Sequence, residues 1–336
     1  MYNYYPTTAL VTAYDIIFFW VSRMIMAGMH FTGQAPFRDI YITSLVRDKQ
    51  GRKMSKSLGN GIDPLEVVDQ FGADALKFTL AFMAAQGQDV LIEKASFGLG
   101  SRFGNKIWNA ARYLLMNLEG RTLVPLSQIE LRPVDRWIFH RLNESVKAVS
   151  VAMAAYKFNE AAQVSYEFFW NEFCDWYIEA SKLSLYSDDD AEKDRAITLL
   201  VRLLEESMRL LHPFMSFITE EIYQKLPDIP EAQRSEALIV APYPEPRADR
   251  EAAHEAGAFS SLQDLVRSVR TLRSEFTIPP AQRIHFVVRC EESFPHTDFF
   301  SEHRDLIEML TTAENTSYGT GTPDTTGSVT LVGHGF

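Results

Sequence analysis

The residues best suited to chemistry lie in one short segment, residues 51–60, which reads Gly-Arg-Lys-Met-Ser-Lys-Ser-Leu-Gly-Asn. Lys53 and Lys56 supply positive point charges of the kind that bind phosphate oxygens. Ser55 and Ser57 add hydroxyl groups, and the flanking glycines let backbone amides approach an anion closely. The segment therefore predicts a phosphate-binding loop that stabilises the negative charge building up as pyrophosphate leaves.

The elements around this loop weigh against the alternative, a solvated basic turn. Residues 8–12 are apolar and β-branched, as in a buried parallel strand. Residues 16–29 predict a helix whose positive end lies beside Asp15, and residues 39–46 predict a second strand. Strand, helix and strand form one unit of a parallel sheet, with the loop directly after it. A doubly wound sheet needs more strands than these, so we expect only part of one.

Helical patterns fill most of the remaining chain. Asp63 and Pro64 predict a helix start, and long amphipathic segments predict a helix bundle. The segments predicted as helices are residues 72–84, 97–118, 133–155, 157–184, 191–212, 214–225, 251–276 and 304–311, and the strands predicted near the end are residues 285–288 and 328–332. The fold class is thus mainly α with a partial α/β start and a small α+β tail.

The composition suits a folded protein of two or three domains. The chain has 336 residues, of which 46% are hydrophobic. Its formal net charge of −11 argues against binding phosphates through overall charge, since such contacts need positive groups. Lysine and arginine nevertheless cluster at residues 47–56 and 264–289, so positive charge is present locally.

The remaining composition points to a reducing, cytoplasmic compartment. Cys174 and Cys290 lie far apart and have no second ligand at metal-binding spacing, so no metal site is predicted. The most apolar stretch, residues 16–31, is too short to span a membrane and contains Arg23, so a buried helix is predicted. Both ends of the chain read as interrupted elements, which indicates a piece of a longer protein.

The chain resembles a known enzyme family. Lys-Met-Ser-Lys-Ser at residues 53–57 is similar to the ATP loop of the class I aminoacyl-tRNA synthetases. Within that class the chain resembles the valyl-tRNA synthetases over nearly its whole length, less so after about Arg289. The blocks that carry this resemblance are Val-Thr-Ala-Tyr-Asp-Ile-Ile-Phe-Phe-Trp at residues 11–20, Phe-Arg-Asp-Ile-Tyr-Ile at 37–42, Asn-Lys-Ile-Trp-Asn at 105–109, Trp-Asn-Glu-Phe-Cys-Asp-Trp-Tyr-Ile-Glu at 170–179 and Leu-His-Pro-Phe-Met-Ser-Phe-Ile-Thr-Glu-Glu-Ile at 211–222.

The resemblance implies a division of the chain. Residues 1–60 would be the C-terminal part of a Rossmann-type catalytic domain, and residues 61–130 a helical region that contacts the tRNA stem. Residues 131–248 would be an anticodon-binding helix bundle, and residues 249–336 a truncated α+β region. Three cations on one helix could touch the tRNA stem or simply form a solvated face: Arg102, Lys106 and Arg112. The aromatic residues between positions 168 and 177 are expected mainly in the core, because they fall at helical spacing.

The resemblance also implies a site for ATP with Mg²⁺. Asp15 would accept hydrogen bonds from the ribose hydroxyls, beside Ala13, which stands where the family has glycine. Lys53 and Lys56 would be the catalytic residues that hold the phosphates. The remaining residues assigned to nucleotide binding are Met54, Ser55 and Ser57. The complete enzyme would activate valine with ATP and transfer it to tRNA(Val).

Two parts of such an enzyme have no counterpart in this sequence. The 336 residues contain no His-Ile-Gly-His-type string, which supplies the other half of the ATP site, and no insertion for an editing pocket. We therefore expect this chain alone to make no adenylate. An isoleucyl or leucyl enzyme is a second interpretation, which the lack of a C-terminal Cys-x-x-Cys module and the run Ser-Leu-Gly-Asn at 57–60 disfavour. A non-catalytic tRNA-binding module is a third.

Overall fold

A computed structural model describes residues 4–55, 57–320, 329–330, 332–333 and 335–336. It begins with the predicted strand–helix–strand unit. Strand β1 (Thr7–Ala13) pairs in parallel with β2 (Phe37–Thr43), so that Thr7 lies opposite Phe37 and Ala13 opposite Thr43. Between the strands, a 3₁₀ turn and a π-helical turn lead into helix α1 (Ser22–Thr32). Within the described residues β1 and β2 pair with each other alone, as expected for part of a larger sheet.

The second strand is shorter than predicted. The sequence predicts a strand to residue 46, but β2 ends at Thr43, and Val46–Arg47 form a separate strand, β3. The strand ends there because the residues between β2 and β3 form hydrogen bonds with the segment around residues 85–89. The Ser44 hydroxyl donates to the Ala85 carbonyl at 3.0 Å, and the Leu45 amide donates to the Asp89 carboxylate at 3.1 Å. Strand β3 then pairs in parallel with β4 (Val90–Leu91).

The predicted helices form with boundaries close to those expected. Asp63 caps the first of them, because its carboxylate accepts a 2.9 Å hydrogen bond from the Leu65 amide. A π-helical segment, Phe168–Tyr177, joins two of the bundle helices into one long rod. These helices are α2 (Pro64–Phe71), α3 (Ala73–Met83), α4 (Gly98–Leu118), α5 (Pro133–Ala154), α6 (Phe158–Glu167), α7 (Ile178–Leu185), α8 (Asp190–Leu211), α9 (Ser216–Lys225) and α10 (Ala253–Glu275).

One hydrophobic core extends through most of these helices. It runs from Phe78 in α3 to Leu310 near the C-terminus, so the region of α3 and α4 packs directly on the bundle. A smaller core of Val67, Val90, Ile92 and Phe97 lies beneath the segment that follows the basic loop. Each large apolar side chain removed from water in this way contributes about 1.5–3 kcal/mol.

The C-terminal tail differs from its prediction. Strand β5 (Val287–Arg289) pairs in parallel with β6 (Ser317–Gly319), and a short helix, α11 (Thr297–Glu302), precedes the predicted α12 (Arg304–Thr311). Of the predicted strand 328–332, residues 328 and 331 lie outside the described residues, and residues 329, 330 and 332 are not in a strand. For these three residues the prediction was wrong, and in the described residues the strand that pairs with β5 is residues 317–319. No helix of the described residues is long and apolar enough to cross a membrane.

Candidate functional site

The basic loop lies at the carboxyl end of β1. The chain leaves β1 at Ala13 and turns through Tyr14 and Asp15, and the loop after β3 folds back over this turn. The Lys53 ammonium donates to the Asp15 carboxylate across 2.5 Å, although 38 residues separate the two in sequence. The Lys53 side chain is 58% exposed and that of Asp15 28%, so the pair faces an open edge. Two of the residues predicted to form one site are therefore in contact, where parallel sheets commonly bind ligands.

The other predicted loop residues are placed as follows. Lys56 lies outside the described residues. The hydroxyls of Ser55 and Ser57 share a hydrogen bond of 3.2 Å, and the Ser55 hydroxyl also accepts from the Leu58 amide at 3.3 Å. Met54 is half-buried beside them. The serine hydroxyls therefore shape the loop through contacts with one another.

Asp15 does not act as a helix cap. The residue at the N-cap position is Ala13, and no side chain accepts a hydrogen bond from the first turn there. The Asp15 carboxylate instead faces Lys53. Ala13 is half-buried and opposite Thr43 in the sheet register.

Glycine is required at both ends of the loop by backbone conformation. Gly51 has φ of 76° and Gly59 has φ of 61°, values that other residues rarely adopt. A methyl group at either position would meet no atom within 4 Å. The glycines therefore serve the turns that fold the loop, and nothing in the described residues packs against them.

A buried carboxylate that the sequence analysis did not identify holds the loop together. Asp48 is 7% exposed and accepts hydrogen bonds from the amides of Gln50 and Arg52, at 3.0 and 2.9 Å, and from the Arg52 Nε at 2.8 Å. It also accepts from Asn60 Nδ2 at 2.9 Å. The hydrogen bond from Asn60 and the interactions with Arg52 hold the pKa of the Asp48 carboxyl far below its usual value. No local pattern announces this role, since aspartate is common in turns.

A second unpredicted carboxylate joins the loop to the end of β1. Asp89 pairs with the Arg47 guanidinium, which also donates to the Tyr14 hydroxyl at 3.1 Å and to the Gly51 carbonyl at 3.2 Å. Tyr14 in turn donates to Asp89 at 3.2 Å. The hydrogen bond from Arg47 lowers the pKa of Asp89. Asp89 lies 42 residues beyond Arg47, so only the folded chain reveals the pair.

Positive charge elsewhere is partly used within the protein. The cluster at residues 264–289 looked like a local basic patch, but Arg270 donates twice to the Leu310 carbonyl, and Arg273 donates to the carbonyls of Pro279 and Gln282. Arg267 lies over the Trp176 ring, 5.6 Å from its centroid. Arg270 and Arg273 thus fix the end of α10 against the tail, and Arg267 lies against the bundle, which reduces the charge available to a ligand.

The bundle surface near α4 carries both paired and exposed cations. Lys106 pairs with Asp175 at 2.6 Å and lies over the Trp170 ring, while Arg102 and Arg112 are exposed. The aromatic residues of the neighbouring π-helical segment are buried, as their spacing predicts: Phe168, Phe169, Phe173, Trp176 and Tyr177. Trp170 is only partly covered, so it and the cations of α4 form the accessible part of this face.

One group of potential metal ligands lies between the middle of α5 and the segment that precedes α10. Atoms of His140, Glu144 and Glu251 come within 4.8 Å of one another. The Lys147 ammonium already pairs with both glutamates, and the His140 Nδ1 accepts a hydrogen bond from the Ala252 amide at 3.2 Å. A lysine charge and a backbone donor thus satisfy the ligand atoms that a cation would need.

Comparisons with known proteins identify two parts of the chain. The family model described as tRNA synthetases class I (I, L, M and V) matches residues 1–93. The family model described as the anticodon-binding domain of tRNA ligase matches residues 135–288. The basic loop falls within the first match, and the second match runs from the third residue of α5 to beyond the end of α10.

Curated relatives match at high identity but are much longer. The valine–tRNA ligase of Treponema pallidum (strain Nichols) is 56% identical over 302 residues, which is 88% of this chain and 31% of that protein. The valine–tRNA ligase of Thermotoga maritima is 48% identical over 94% of this chain and 35% of its own length. The chain therefore spans about a third of the length of the curated relatives it matches.

Solved structures agree on the fold. Agrobacterium radiobacter K84 agnB2 LeuRS, solved as a ternary complex with tRNA and LeuAMS, matches with a TM-score of 0.56 and 18% identity, covering 94% of this chain and 37% of that one. Mycobacterium tuberculosis methionyl-tRNA synthetase, in complex with methionyl-adenylate, matches with a TM-score of 0.54 and 20% identity, covering 66% of this chain and 44% of that one. At these identities the likeness concerns the fold.

Proposed function

We propose that this chain, which is similar to the valine–tRNA ligases, supplies the ATP loop and the anticodon-binding domain of an enzyme that joins valine to tRNA(Val). The observation that carries this proposal is the contact of Lys53 with Asp15 at the carboxyl end of β1. It brings a phosphate-binding cation and a ribose-binding carboxylate to one edge of a nucleotide-binding sheet.

The proposed chemistry uses that pair in two steps. When ATP binds, its ribose hydroxyls donate to the Asp15 carboxylate, and the Lys53 ammonium turns from Asp15 to the phosphate oxygens. A carboxylate oxygen of valine then attacks the α-phosphorus, and the bond to the departing pyrophosphate breaks. Lys53, with Lys56 beside it in sequence, offsets the charge that builds up on the leaving group. The valyl group next passes to a terminal ribose hydroxyl of tRNA, and AMP leaves.

Magnesium would enter this site bound to ATP. Mg²⁺ is usually held by one or two carboxylates together with phosphate oxygens and water. Of the described carboxylates closest to the loop, Asp15 faces Lys53, Asp89 faces Arg47, and Asp48 is fully engaged. These residues fit an ion bound mainly to ATP phosphates better than a dedicated protein cage. When bound, Mg²⁺ supplies further positive charge to the phosphates.

The helical part of the chain would bind tRNA. We propose that residues 131–248 read the anticodon and that residues 61–130 contact the stem. The stem contact would use exposed cations such as Arg102 and Arg112, with the half-covered Trp170 of the bundle beside them. Because the chain as a whole is acidic, binding by these groups should be weak when the chain is isolated and should fall steeply with salt. Such an enzyme would work in the cytoplasm.

The test is aminoacylation by a chimera. In this chimera, the residues that align with the Treponema pallidum ligase replace the matching segment of that protein, which keeps its own remaining two-thirds. We expect the chimera to charge tRNA(Val) with valine in an ATP-dependent reaction, and the 336-residue chain alone to catalyse no valine-dependent ATP–pyrophosphate exchange. A folded chimera that forms no valyl-tRNA, or turnover by the chain alone, would contradict the proposal. Tight tRNA binding by the chain alone, together with an inactive chimera, would favour a non-catalytic tRNA-binding module.

A further inference from the structure

The ATP loop is closed at its base by two residues that do not belong to its motif. Asp48 stands before the loop and Asn60 after it, and the two side chains meet, with Asn60 Nδ2 donating to Asp48 Oδ2 at 2.9 Å. Asp48 and Asn60 lie twelve positions apart, and their contact closes the segment between them into a ring.

Both oxygens of Asp48 are engaged inside this ring. Oδ1 accepts from the amides of Gln50 and Arg52, and Oδ2 accepts from Arg52 Nε and from Asn60. At 7% exposure, the carboxylate has little access to water that could replace these donors. The Nε of Arg52 is thereby committed to Asp48.

Asn60 needs both halves of its amide group. Its Nδ2 donates to Asp48 and, at 3.4 Å, to the Lys53 carbonyl, while its Oδ1 accepts a 2.9 Å hydrogen bond from the Ser55 amide. Aspartate at position 60 could accept from Ser55 but could not donate, and it would place a second negative charge against Asp48.

These contacts fix the backbone on both sides of the lysine that reaches Asp15. The Arg52 amide is bound to Asp48, and the Lys53 carbonyl and Ser55 amide are bound to Asn60. Lys53 thus leaves the ring in one direction, toward the end of β1. A backbone held in place before the reaction leaves only the Lys53 side chain to turn toward the phosphates, which lowers the cost of reorganisation.

We infer that Asp48 and Asn60 are positioning residues for adenylate formation, which hold the backbone of Lys53 in place as its ammonium meets the ATP phosphates and the pyrophosphate bond breaks. This inference rests on the proposed function, but it concerns residues that touch neither substrate. It predicts that damage to the ring lowers the rate of the chemical step and leaves the binding of valine unchanged.

The first arm of the test measures the ring itself, in the 336-residue chain, by amide hydrogen exchange. We expect the amides of Arg52 and Ser55 to be protected in the parent chain and to lose at least tenfold in protection in Asp48→Asn. The matched control is Asp69→Asn, which removes an exposed carboxylate on α2. Unprotected amides in the parent chain would show that the ring does not form and would overturn the inference, whether or not the chimera is active.

The second arm measures ATP–pyrophosphate exchange in the chimera. We expect kcat to fall about 10- to 100-fold in Asp48→Asn and further in Asn60→Asp, with KM for valine within twofold of the parent and Asp69→Asn unchanged. In the double variant Asp48→Asn/Asn60→Asp the amide and carboxylate exchange places, and kcat should recover at least tenfold over Asn60→Asp. Lost protection with unchanged kcat, or no recovery in a folded double variant, would overturn the positioning role. An inactive parent chimera would instead refute the proposed function, and the first arm would still decide whether the ring exists.

Discussion

The helix bundle buries its large apolar side chains, whereas the strand–helix–strand unit leaves several of them exposed. In the bundle, Phe169 and Leu142 are completely buried, and one core joins seven or more elements. In the strand–helix–strand unit, Phe18 is 88% exposed, Val11 65% and Trp20 58%. A parallel sheet normally has both faces covered, so this unit lacks cover that the bundle provides for itself. The helix bundle therefore folds around its own core, whereas the strand–helix–strand unit leaves apolar faces that its own residues do not cover. This agrees with the chain's spanning about a third of its curated relatives.

The largest expected effect tests whether the two regions differ in stability. Replacing Phe169 with alanine should lower the free energy of unfolding by about 3–5 kcal/mol, because it leaves a cavity in the core. Replacing Phe18 with alanine should change it by less than about 0.5 kcal/mol, since that ring lies in water. Urea unfolding followed by circular dichroism at 222 nm measures both. Equal losses in the two variants would break the comparison.

Charges should show the same contrast. Arg250 and Glu206 form a bidentate pair of 2.7 and 2.8 Å whose side chains are 12% and 10% exposed. Changing Glu206 to glutamine should cost about 3 kcal/mol, because the guanidinium stays buried without its countercharge. Changing Glu66 to glutamine in the exposed pair with Lys94 should cost less than about 1 kcal/mol. The same urea titrations apply, and a Glu206 variant as stable as the Glu66 variant would contradict the account of the bundle.

A smaller effect concerns pH. Burial raises the pKa of the Cys174 thiol to about 12, while a thiol in an unfolded chain ionises near pH 8.5. The folded state therefore keeps a proton that the unfolded state loses, and the contribution of Cys174 to stability is complete below pH 8.5 and declines above it. Between pH 8 and pH 9.5 we expect about 1 kcal/mol less stability from this source.

Cys174→Ala provides the control for that effect. The variant should lose stability at all pH values, but the difference between it and the parent should shrink by about 1 kcal/mol from pH 8 to pH 9.5. A constant difference would mean that the thiol is accessible to water, and that the bundle interior is less closed than its buried residues indicate.

The sequence predicts the two regions unequally well. Helix α2 was predicted from Asp63 and Pro64, and the bundle from 3.6-residue periodicity, because capping and amphipathic patterns are local. The loop is predicted from five adjacent residues, and the family resemblance implies one site for Lys53 and Asp15, whose side chains are in contact in the fold.

The interactions that the sequence does not reveal join residues far apart in the chain or depend on a neighbouring element of the fold. The Arg47–Asp89 pair joins residues 42 positions apart, and Asp48 reads locally as an ordinary turn residue. Residues 317–319 carry no strand pattern, and they form β6 because β5 offers them an edge. The sequence predicts a local basic patch near residue 270, but in the fold Arg270 and Arg273 donate to backbone carbonyl groups.

Lys53 is proposed to face ATP at the carboxyl end of β1, and ATP–pyrophosphate exchange in the chimera measures its contribution. The informative comparison is Lys53→Ala against Lys94→Ala, which removes an exposed lysine of α2's ion pair. We predict that kcat/KM for ATP falls about 10²- to 10³-fold in Lys53→Ala and stays within twofold of the parent in Lys94→Ala. Equal activity in the two variants would contradict the account.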